Sequence, residues 1–222
     1  MKIAKGKMKN EKWRYLRFAI CNLQFAILVS SCVSFQAGGE FQQGRMELLY
    51  GDPKIALAHF QRAAELDPDY RIHSIFPEWV WTYVGRAYHA AGRLAEARQA
   101  LERARANEQD NLAKLYLGLV LAQDGDRARG LREIEAGLKG VSDWYDWVEY
   151  YHMEGRWWDP GKYLRQAIQK QIAALKGGDG AGQDLIQNGA YLGREIEMEI
   201  DKSRQHKLLD LYRDSGHDRR QP

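Results

Sequence analysis

A pattern that returns about every 34 residues constrains this chain more than any other feature. Aligned on three turns that each hold a glycine, Gly51, Gly92 and Gly125, the sequence divides into Ala37–Tyr70, Glu78–Asp110 and Asn111 to about Gly140. Each glycine falls where a helix must stop and reverse, and Asp52-Pro53 supplies an N-cap followed by proline at the first helical position. Gly44, Ala56 and Ala63 are small enough to let two helices approach closely. Phe60 and Leu101 are large enough to fill the space between neighbouring units. A unit of this size cannot bury its apolar face alone, so the units must stack.

The first segment carries Gly44, Ala56, Phe60, Ala63 and Pro68 in register. The second carries Trp81, Gly85, Tyr88, Ala97 and Ala104, with Val84 and Leu101 as conservative replacements. The third matches at Leu117 and Gly118 and approximates at Leu121, Gly130, Ile134 and Gly137. On these residues the chain resembles the tetratricopeptide repeat family, whose pattern is W-x2-L-G-x2-Y, then A-x3-F, then a late proline. The resemblance implies an all-α, right-handed helical solenoid with three repeats at 37–70, 78–110 and 111–140 and a C-terminal capping helix. Residues 71–77 form an insertion that lengthens the first connection. Trp144, Tyr151 and Gly155 repeat the register once more, so 141–176 reads as a degenerate fourth repeat or a plain helical hairpin, with Asp159-Pro160 as a delayed N-cap. A Gly-rich loop follows at 177–182. Helical spacing of Leu185, Leu192, Ile196, Ile200, Leu208 and Leu211 makes 183–214 the capping helix, and 215–222 is a polar tail.

In this family the first helix of each repeat lines a concave groove. The positions that meet partners there fall on Phe41, Arg45 and Leu48, on Trp79, Thr82, Arg86 and His89, and on Leu112, Leu115, Leu119 and Ala122. The fourth unit adds Tyr145, Glu149 and His152. Arg45 and Arg86 share one repeat position and should point into the same groove. They would bind an acidic segment or a terminal carboxylate there, or be solvated or paired with a local Glu. The Lys and Asn of the family's carboxylate clamp are absent.

The first 31 residues read as an address. Seven Lys or Arg and a single acid, Glu11, precede a 14-residue apolar run, Phe18–Ser31, which is short for the roughly 20 residues that span a bilayer. Leu28-Val-Ser-Ser-Cys32 resembles a bacterial lipobox, which implies lipid attachment at Cys32, a short tether at 32–36 and a lipoprotein of the cell envelope. An ordinary cleaved signal and an uncleaved anchor stay open. Val33 stands where an inner-membrane retention signal would place Asp, which favours the outer membrane and a periplasm-facing body. The whole chain has a formal charge of +3. Without the leader, 26 basic and 29 acidic residues remain, a net −3, so nucleic acid is excluded as a partner.

Residues 144–163 hold eight aromatics: Trp144, Tyr145, Trp147, Tyr150, Tyr151, Trp157, Trp158 and Tyr163. Either they pack the junction between solenoid and cap, or some form a recognition surface for a protein or for cell-wall sugars. No H-E-x-x-H, G-x-S-x-G, P-loop or G-x-G-x-x-G occurs. His89, Glu149 and His152 make the one grouping to weigh as a metal site, with groove lining as the default. The expectation is a non-catalytic interaction scaffold without cofactors. It would bind a protein or peptide in the envelope and be tied to the membrane by lipid, with self-association open. A glycan-binding protein or cell-wall hydrolase using residues 144–163 is the competing reading.

Overall fold

The computed structural model describes residues 33–72, 76, 78–106, 109–151, 158–177 and 182–217. The leader 1–31, Cys32, His152 and Trp157 lie outside the described residues. Among the described residues eight helices follow one another: α1 (33–50), α2 (Pro53–Leu66), α3 (Val80–Ala90), α4 (Leu94–Arg105), α5 (Asn111–Gln123), α6 (Arg127–Tyr151), α7 (Tyr163–Gly177) and α8 (Gly182–His217). The insertion pairs β1 (Arg71–Ile72) antiparallel with β2 (Glu78–Trp79), Arg71 opposite Trp79 and Ile72 opposite Glu78. The architecture is an all-α, tetratricopeptide-like solenoid. Helix pairs α1/α2, α3/α4 and α5/α6 stack in chain order. No described helix is long and apolar enough to cross a membrane.

Local chemistry sets the boundaries. Asp52 caps α2 by accepting from the Lys54 N–H at 2.8 Å, with Pro53 in the first turn. Gly92 and Gly125 take positive φ, +75° and +98°, to reverse the chain after α3 and α5. The Asp110 side chain caps α5 through the Ala113 N–H at 2.8 Å. Asp159 performs the delayed capping of α7, its two carboxylate oxygens accepting from the N–H groups of Leu164 and Arg165.

One contact recurs in every repeat. A Cβ built on Gly44 would lie 2.7 Å from the Phe60 ring, on Gly85 2.4 Å from Leu101, and on Gly118 2.7 Å from the Ile134 side chain. Each small residue faces a large one sixteen positions on, so the third segment repeats the geometry that its sequence only approximates. The core follows the stack in two sections. One gathers Phe41, Phe60 and Tyr83, with ring centroids 4.7–5.5 Å apart, and the other gathers Leu101, Leu115, Ile134, Val148 and Ile196.

Two boundaries differ from expectation. Residues 33–36, expected to be a tether, are already helical in α1. The third repeat and the fourth unit are not separated near residue 140, because α6 runs unbroken from Arg127 to Tyr151. Gly137 and Gly140 do not stop it. They serve close approach to α5, where a Cβ would meet the Leu115 N–H at 2.5 Å and the Asn111 side chain at 2.2 Å.

Candidate functional site

The first helices of the three repeats, α1, α3 and α5, share one face, and α8 lies across all of them. Gly189 and Gly193 bring its backbone onto α5, since a Cβ there would sit 2.8 Å from Leu119 and 2.6 Å from the Tyr116 hydroxyl. Further along, Arg194 donates to the Leu49 carbonyl of α1 at 2.9 Å. One turn beyond Arg194, Glu197 is fully buried and meets the two arginines of this face. Its Oε1 accepts from Arg45 Nε at 2.6 Å, and its Oε2 accepts from the Tyr83 hydroxyl at 2.8 Å and from Arg86 Nη1. Asp201, one turn on, accepts from Arg45 Nη2 at 2.6 Å. The Arg86 guanidinium lies between the rings of Tyr83 and Tyr116, 4.7 Å from each centroid. Burial alone would push the Glu197 carboxyl up; Arg86 and Arg45 outweigh it and hold it at about 2. A charge so buried persists only where its partners are as complete as these.

The repeat contacts, the caps and the turn glycines all fall where helix-turn-helix stacking demands them, and residues 47–123 match the family model described as Tetratricopeptide repeat. That segment is similar to tetratricopeptide repeats. No curated protein and no solved structure gives a significant match to the chain.

The concave face expected to meet partners is therefore largely occupied by the chain's own α8. Of the expected partner-binding residues, Phe41, Arg45, Thr82, Arg86, Leu115, Leu119 and Tyr145 are all buried. Phe41 and Tyr145 belong to the core; Tyr145 packs against Trp144 and Trp158. Leu115 and Leu119 lie under α8. Thr82 donates to Asp110 Oδ2 at 2.5 Å, tying α3 to the cap of α5. Arg45 and Arg86 do point into one place, and what they hold is neither solvent nor a neighbouring Glu but a carboxylate of the chain's own last helix. Trp79 is half-buried, with the Arg71 guanidinium 4.9 Å from its ring. Glu149 is exposed and paired with Arg165 and Lys162. His89 stays at the rim, its Nε2 3.1 Å from the Gln123 amide, and burial pushes its pKa down. With Glu149 bound to two cations and His89 to an amide, these two side chains form no metal centre, and among the described residues no group of three His, Cys, Asp or Glu could hold a metal. A cleft of about 640 Å³ remains open where α1, α3 and α8 meet, lined in part by Tyr50, His89, Tyr116 and Arg194.

The aromatic run divides by helical face. Tyr145 and Trp158 are buried and Trp144 is half-buried, while Trp147, Tyr150, Tyr151 and Tyr163 are exposed. Tyr150 and Tyr151 stand 4.6 Å apart between centroids, Trp147 and Tyr151 6.1 Å. Asp143 and Asp146 are exposed on the same stretch of α6. Glu197 and Asp201 do not stand out in the sequence from Glu195, Glu199 and Lys202 beside them; their one signal is that each directly follows an inward-facing isoleucine, Ile196 and Ile200.

Proposed function

We propose that this chain is a non-catalytic protein-protein interaction scaffold of the bacterial cell envelope, tied to the outer membrane by lipid on Cys32 and facing the periplasm. The observation that carries the scaffold reading is the match of residues 47–123 to the tetratricopeptide repeat model, since such repeats generally mediate protein-protein interactions. The envelope address rests on the basic, then apolar leader and on Leu28-Val-Ser-Ser-Cys32. Because α8 fills the concave face, the partner meets an outer surface. The exposed rings of Trp147, Tyr150 and Tyr151, flanked by Asp143 and Asp146, offer rigid contact area with a negative rim, which suits a basic segment of a partner protein.

Photocrosslinking in the native envelope from position 147 tests this reading, alongside the intact mass of the extracted protein. A discrete partner adduct, lost in a Trp147→Ala/Tyr150→Ala variant with unchanged thermal melting, is the expected result. Adducts to glycan strands alone would overturn the scaffold reading, and an unacylated mature Cys32 would overturn the anchor.

A further inference from the structure

The charged residues of α1 are all engaged with other residues of the chain. Glu40 meets His59 at 2.7 Å, Arg45 is buried on Glu197, and the Glu47 carboxylate accepts from the Asp52 N–H at 3.1 Å. The outward side of the helix consequently carries no charge. It presents Phe35, Gly39, Gln42, Gln43, Met46 and Tyr50, all exposed, within an arc of about 100° at helical spacing. Phe35 is 84% exposed, Met46 57% and Tyr50 62%.

Gly39 is anomalous on this face. Gly38 and Gly44 have reasons to be glycine, since a Cβ would press on Tyr70 at 2.9 Å or on Phe60 at 2.7 Å. A Cβ on Gly39 would meet nothing within 4 Å. Glycine inside a helix is destabilising relative to alanine, and nothing among the described residues requires it at this position.

The six residues are also symmetric about the point between Gln42 and Gln43. Turned end for end, Phe35 falls on Tyr50, Gly39 on Met46, and Gln42 on Gln43. An antiparallel copy of α1 would set ring against ring at both ends, place each Met46 in the gap left by the other chain's Gly39, and pair amides at the dyad. Gln42 is suited to that place. Its Oε1 already accepts from Arg45 Nη1 at 3.2 Å, which leaves its amide N–H groups to donate outward. Such a surface is self-complementary, as a two-fold interface demands, and the absence of charge spares it like-charge repulsion.

We propose that the outer face of α1 is the contact for a second copy of this chain, packed antiparallel about a two-fold axis at Gln42 and Gln43. Sedimentation equilibrium of the full chain carrying Cys32→Ser, so that no acyl chain contributes, tests it. A reversible monomer-dimer equilibrium is expected, weakened by about tenfold or more in Gly39→Glu and in Met46→Lys, each of which buries an unpaired charge in the contact. The double variant Gly39→Glu/Met46→Lys sets opposite charges face to face across the dyad and should recover association. Circular dichroism should show unchanged folding for Gly39→Glu, because the space beside Gly39 is open within the monomer. A monomer at every concentration, association indifferent to Gly39→Glu, or a double variant that fails to recover it would overturn the proposal.

Discussion

Glu197 shows at the scale of one residue how the groove of this molecule was put to internal use. Its carboxylate neutralises two guanidinium groups that could not otherwise be buried, so its removal leaves both charges without their main partner. Glu197→Ala should cost ~3–5 kcal/mol, measured by urea denaturation. The pH dependence has a definite sign. The folded-state pKa of about 2 lies below the ordinary value near 4.5, so the stabilisation is complete above about pH 4.5 and is lost as pH falls toward 2. Thermal melts of the native chain should drop through that window, and Glu197→Gln should flatten this part of the profile. From the sequence alone, Arg45 and Arg86 could be placed at one repeat position, because repeat register is local information. Their partner could not, because it lies 152 and 111 residues away and repeat register says nothing about a segment outside the repeats.

Elements were legible where a cap or a turn has a short-range chemical signature. Asp52-Pro53 started α2, Gly92 and Gly125 ended α3 and α5, and Asp159 capped α7, each for the reason its residue type supplies. Glycine was misleading where it serves packing. Gly140 marked the expected end of the third repeat, yet it lies inside α6 at its crossing with α5, and only the neighbouring helix distinguishes the two uses. The cap of α7 gives a prediction at this scale. Asp159→Ala removes an acceptor shared by two backbone N–H groups and should destabilise by about 1–2 kcal/mol in chemical denaturation. Asp159→Asn keeps an acceptor and tolerates the positive φ of 44°, so it should cost less.

For the whole molecule, the stacking of the repeats followed from their period, whereas the destination of α8 did not. Leu192, Ile196 and Ile200 announced a buried face without naming what it covers. A capping helix at the end of the stack and a helix laid along its inner face have the same periodicity. The structure decides for the inner face, and α8 becomes part of the same core as Leu115 and Leu119. A chain ending after Gly177 should therefore lose its cooperative melt and bind a hydrophobic dye, while retaining much of its far-ultraviolet helical signal. Retention of the native melting temperature would refute that role for α8.

The distance in sequence between Arg45 and Glu197 also sets a clock. A ribosome adding 5–20 residues each second makes the second residue roughly 8 to 30 s after the first. Until Glu197 is made, Arg45 and later Arg86 lack the carboxylate that neutralises them, so the body cannot reach its final state piecemeal as synthesis proceeds. Completion waits for α8, so the buried arginines are neutralised only as synthesis of that helix proceeds.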